Sequence, residues 1–187
     1  KSGNSKHASR STASNQPTYV ASDPLLHGMP SVKSVSNTGK IGLIVPSSPQ
    51  REIFMVAYFN DGVDNTFGDH LALFSGSLHN DGRYRFLGLK DTSLYNLGQR
   101  FHNSLTSFNG SGNILEVLPM PATVLRLISS TTRTQSTNLL YSPDYNTRGW
   151  VGGIGEMIAL SSLATSDEAS KIEGYLAHKW GTAHNLI

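Results

Sequence analysis

The sequence predicts an all-β fold: an antiparallel β-sandwich or jelly roll, closed by one C-terminal α-helix and occupying residues 1–187 as a single domain. Three observations carry this. Charged residues make up only 15% of the chain, while Ser, Thr, Asn and Gly together fill 70 of 187 positions. That mixture excludes coiled coils and helical bundles, and it supplies turns, edges and positive φ. Short strand-like runs recur at a spacing of roughly ten residues, each closed by a turn signal. One segment alone, near the end, carries a helical period.

The elements follow in order. Residues 1–28 are polar with little periodicity and end in a turn-rich stretch from Asp23-Pro24 to Gly28-Met29-Pro30. Residues 29–35 alternate weakly, and 40–45 read as a strand that Pro46 stops. Residues 51–60 (REIFMVAYFN) form the strongest strand, apolar on both faces and therefore covered on both. After Asp61-Gly62, a strand is expected at 70–75. Asp81-Gly82 is a hairpin signal between residues 71–78 and 83–89. Further strands are expected at 99–108, 114–118 and 123–128, with Asn109-Gly110 between the first two. Another is expected at 131–141, and one at 152–160 despite its glycines. Phe54, Phe74, Phe86 and Trp180 fall in these periodic elements and are assigned to the core.

The helix is specified locally. Thr165-Ser166-Asp167-Glu168 is a capping box, in which Thr165 and Glu168 satisfy each other's backbone amides. Ala169, Ile172, Leu176 and Trp180 then share one face, and Gly181 supplies the stop, which places a helix at about 166–180.

Composition also excludes function classes. With no Cys there is no disulfide, thiolate nucleophile or Cys-type zinc site. The longest apolar run, residues 53–59, falls far short of the roughly 20 residues of a membrane span. A net charge of +2 does not argue for nucleic acid. Residues 1–51 do hold Lys1, Lys6, Arg10, Lys33, Lys40 and Arg51 against Asp23 alone. These cations are scattered among Ser and Asn without interleaved aromatics, which reads as a solvated surface or a contact to another subunit. The chain opens at Lys1 without Met or a signal peptide, as a processed or excised segment would.

Both ends of the chain carry a resemblance. The opening SGNSKHASRSTASNQPTYV and the closing GGIGEMIALSSLATSDEASKIEGYLAHKWG, with IFMVAYF between them, resemble concanavalin A-like (LamG-type) lectin/glucanase domains of bacterial and bacteriophage surface or virion proteins. The resemblance implies a concanavalin A-like sandwich with framework residues shared at both ends. It also implies a family first strand that lies upstream of residue 1 or is supplied by a neighbouring chain. Residues 93–147 match loosely. The segment NLLYSPDYNTRGW replaces the family's usual hairpin before the last strand, so specificity is expected there.

Candidate sites follow from residue chemistry. Asp144, Tyr145, Asn146, Arg148 and Trp150, with Tyr95, group aromatic faces with polar donors and acceptors, which suits a sugar ring or a protein contact. Asp61, Asp64 and Asp69 place three carboxylates within nine residues, a set of hard oxygen ligands for Ca²⁺. The same residues are ordinary turn chemistry, their spacing is not an EF-hand's, and the turn is the weightier reading. Glu156, in an apolar strand, reads either as an acid with a raised pKa or as a framework residue bound to a backbone amide or to Arg126 or Arg148. Retaining glycosidases of this fold family carry Glu-x-Asp-x-Glu or Glu-x-Asp-x-x-Glu, which this chain lacks, and Glu116 is the only other strand-interior candidate. His7, His27, His70, His79, His102, His178 and His184 are dispersed without metal-ligand spacing.

The leading expectation is a non-catalytic extracellular module: a virion or cell-surface structural or adhesion protein that contacts carbohydrate or other subunits of its assembly. The alternatives are a glycoside hydrolase or lyase of the same fold, and a purely structural assembly subunit with no glycan ligand.

Overall fold

The computed structural model describes residues 7–36, 40–60, 72–76, 85–87, 97–102, 108–109, 120–141 and 149–183. Nine strands precede one helix among them: β1 (Thr18–Asp23), β2 (Met29–Ser34), β3 (Leu43–Phe59), β4 (Ala72–Gly76), β5 (Arg85–Leu87), β6 (Leu97–His102), β7 (Phe108–Asn109), β8 (Thr123–Leu139), β9 (Gly152–Leu160) and α1 (Ser166–Lys179). All pairings are antiparallel, in the order β1-β2-β9-β3-β8-β4-β5, with β6 joining β8 and β7 joining β6. The all-β class with a single closing helix is therefore as expected. Among the described residues the hydrogen bonding links these strands into one continuous sheet.

The reason for one sheet lies in β3 and β8, each 17 residues long and paired with one another along most of their length. Pro46 does not stop a strand, and residues 123–128 and 131–141 are not two strands. Instead the ladder is interrupted between Val45 and Ser48 and between Gln50 and Glu52, and then resumes. Proline is tolerated because β9 pairs with β3 only from Glu52 onward, so Pro46 and Pro49 sit where one side of the strand needs no ladder donor. Residues from both ends of this ribbon meet in one core. Val45 and Leu139 cluster there with Ile53, Met55, Leu125 and Leu127.

The second half of β3 is buried on both faces, as its apolar run requires. Ile53, Met55, Ala57 and Phe59 enter the first core with Leu73, Phe74 and Trp150. Phe54, Val56 and Tyr58 enter a second core with Leu26, Val124, Leu176, Ala177 and Trp180, beneath α1. The helix begins as its sequence dictates: Thr165 accepts from the Glu168 amide, and Glu168 accepts from the Thr165 amide. It ends before Gly181, which adopts φ +71.

The glycines of β9 are contact surfaces. A Cβ on Gly153 would lie 2.5 Å from the Tyr58 ring, and one on Gly155 would lie 2.5 Å from the Trp180 indole. Gly155 is also the extra residue of a bulge, since Val56 pairs with Glu156 but Ala57 pairs with Ile154. The bulge shifts the alternation by one, so Ile154 and Met157 both face the first core while Ile158 and Leu160 face the helix side.

The hairpin expected around Asp81-Gly82 is present as β4 paired with β5, although its turn lies outside the described residues. The expected strand at 99–108 is divided into β6 and β7, and the one at 114–118 lies outside the described residues. Strand β1 falls in a stretch where no strand is expected. Most of its side chains are exposed, so no hydrophobic alternation marks it.

Candidate functional site

Most of the sequence-derived site residues, namely Tyr95, Asp144, Tyr145, Asn146 and Arg148, lie outside the described residues, as do Asp61, Asp64 and Asp69. Trp150 is described, and it belongs to the core. Its indole N–H donates to the Tyr58 carbonyl at 2.8 Å, and its ring meets Phe59 edge-on at 4.9 Å. No ring face is left to stack on a ligand. Trp150 instead fixes the base of the segment that holds four of the candidates. Its backbone N–H donates to the Leu140 carbonyl at 2.9 Å, and the Leu140 N–H donates to the Leu73 carbonyl at 2.9 Å. Leu140 is held at φ 69, a conformation unfavourable for a branched side chain and over-determined here by bonds on both sides of its peptide.

A groove of about 710 Å³ opens where the first core meets solvent. Val32 of β2, Ile154 and Met157 of β9, Leu43 and Val45 of β3, and Leu139 and Leu140 line it, with His7, Ala8, Gly155 and Glu156 completing the lining. Its volume suits a small ligand, but such sites usually add a few convergent polar groups to an apolar lining. Here Glu156 is already engaged from the helix side. Sequence reasoning missed this groove because its residues come from four strands, and only pairing places them together.

Glu156 is engaged by donors from the helix side, while Arg126 pairs with Glu52 and Arg148 lies outside the described residues. It accepts from Lys179 Nζ at 2.8 Å, from the Trp180 indole at 3.0 Å and from the Tyr175 hydroxyl at 3.2 Å. Burial pushes its pKa up, but these donors outweigh burial and hold the carboxyl below its ordinary range. Lys179 is correspondingly held above its ordinary value by Glu156 and Tyr175.

Two further polar groups are buried. Glu52, fully buried, accepts from Arg126 Nε and from the Ala164 backbone amide at 2.7 Å, while Arg126 also lies 3.8 Å from Glu173 on α1. Asp23 accepts from Ser31 Oγ, from the Tyr58 hydroxyl at 2.6 Å and from the Leu25 amide at 3.1 Å. Burial raises its pKa, yet these bonds and the nearby Lys33 charge hold it below normal. Burial, with Asp23 alongside, pushes the Tyr58 phenol well above its usual value. Sequence reasoning placed Asp23 in a turn only. The signal available was Asp-Pro, which here caps the 3₁₀ turn Pro24–Leu26.

Each described carboxylate therefore contacts protein donors. Among the described residues, no three His, Asp or Glu side chains gather as a metal site, and no helix is long and apolar enough to cross a membrane. No family model, curated protein or solved structure matches the chain.

Proposed function

We propose that the chain is a concanavalin A-like sandwich domain acting as a non-catalytic extracellular module of a cell surface or virion, with adhesion or decoration as its role. Its ligand class would be carbohydrate, contacted by Tyr95, Asp144, Tyr145, Asn146 and Arg148, and its other partners would be subunits of the same assembly. The observation that supports this reading most is Glu156. The strand carboxylate with the strongest claim to catalysis is occupied by Lys179, Trp180 and Tyr175 and kept ionised, the opposite of what a general acid needs. A second support is the hydrogen bonding of the residues flanking 142–148, where the Trp150 amide bonds the Leu140 carbonyl, because loops held on a scaffold are where recognition is usually placed.

A glycan panel tests this in both directions. Binding without release of reducing sugar, weakened by Tyr145→Ala or Arg148→Ala, is the expected result. Sugar release abolished by Glu156→Gln would replace the module with a hydrolase. Calcium at Asp61, Asp64 and Asp69 belongs to the same proposal. It is read by thermal shift in Ca²⁺ against a chelator, with Asp64→Asn as the control.

A further inference from the structure

The described residues hold six carboxylates, several of them at or beneath α1. Glu52 binds the amide of Ala164, in the connector before α1, and the guanidinium that reaches Glu173 of the helix. Glu156 binds Tyr175, Lys179 and Trp180 near the helix C-terminus. Glu168 closes the capping box, and Asp167 pairs with Lys171 at 2.6 Å. Asp23, the sixth, holds Tyr58 in the core beneath the helix. Glu52, Glu156 and Glu173 bear on the docking of α1 and Asp23 on the surface it covers, while Asp167 and Glu168 act within the helix and its cap. The opposite hydrophobic core draws its buried apolar side chains from β3, β4, β8, β9 and the residues beside them.

We propose that α1 is an acid-releasable cover, which leaves the sheet together with its connector 161–165 while β3, β8 and β9 remain paired. Protonated carboxyls can no longer hold Arg126, Lys179 or the Ala164 amide by charge-assisted bonds. Arg126 from β8, Lys171 and Lys179 from the helix and Lys33 from β2 then lose these carboxylates as counter-charges, and the His27 ring lies beside Gly181. The Tyr58 hydroxyl, held above its usual value by burial and Asp23, stays neutral. The sign follows from Asp23, Glu156 and Glu168, which are held below their ordinary values in the folded chain. Their contribution is fully present above about pH 4.3, the unfolded carboxylate value, and is lost as pH falls through the folded ones.

Release should be local, because a helix of 14 residues has little stability once undocked and melts on leaving the sheet. It would uncover Phe54, Val56, Tyr58 and Val124, an apolar face that is inaccessible at neutral pH.

Hydrogen exchange at pH 7 and pH 3, corrected for intrinsic amide chemistry, tests this on the whole chain. Peptides covering 161–180 should lose at least about tenfold more protection at pH 3 than peptides from β3 and β8. Equal loss in both regions, or retained protection over 161–180, would overturn the proposal. Glu156→Gln keeps the size of the side chain while removing its charge. It should lower protection of 161–180 already at pH 7, leave β3 unchanged, and shrink the difference between the two pH values. An unchanged helix in this variant would count equally against the proposal.

Discussion

The two faces of β3 bury side chains of the same kind, alternating residues of a single apolar run, yet they are closed by different means. On one face Ile53, Met55, Ala57 and Phe59 meet Leu125, Leu127, Trp150 and other apolar groups contributed by the sheet itself. On the other, Phe54, Val56 and Tyr58 are covered by a separate element that arrives last in the chain and is secured by Glu52, Arg126, Glu173 and Glu156. The first closure depends on dispersion and apolar burial, which respond weakly to pH and salt. The second adds charge, which is costly to bury and strongly destabilising when one partner is removed. A single strand is thus stabilised through two channels that can be perturbed independently.

The sharpest way to break this comparison is to delete one anchor on each side. Trp150→Ala removes the largest fully buried side chain and its bond to Tyr58, and should cost about 3–5 kcal/mol in denaturant unfolding. Arg126→Ala leaves Glu52 buried without its guanidinium and should cost about 3–5 kcal/mol. Gly155→Ala drives a methyl into the Trp180 indole and should cost about 1–3 kcal/mol, read as a shifted Trp180 environment with the first core intact. Thr165→Ala removes the helix cap for about 1 kcal/mol, seen as fraying of the first turn of α1. Lys171→Ala breaks an exposed ion pair and should change stability by less than about 0.5 kcal/mol.

The parts of the fold legible in the sequence are those whose determinants are local. The capping box at Thr165 and Glu168, the stop at Gly181 and the pairing around Asp81-Gly82 each need only a few neighbouring residues, and each is present. What escaped depends on partners distant in sequence. Pro46 reads as a stop until the free side of β3 is known, and β1 shows no alternation because its side chains meet solvent. The bulge at Gly155 turns an irregular GGIGE run into two phases that serve two cores. Trp150 reads as a loop aromatic because its neighbours are polar, while its indole is claimed by Tyr58, 92 positions away. For the candidate site, residue chemistry singles out the segment 144–150, and only the fold shows that its last member, Trp150, belongs to the core.

The chain's two tryptophans lie one in each core, Trp150 on the sheet-closed face and Trp180 on the helix-closed face. Trp180→Phe and Trp150→Phe therefore give single-tryptophan proteins that report each face separately. Emission and acrylamide quenching would be followed from pH 7 to pH 2.5. The account predicts that Trp180 becomes solvent-exposed at a higher pH than Trp150, with an interval in which only the helix-covered face has opened. Coincident transitions of the two probes would contradict it, because both faces would then be held by one indivisible set of interactions.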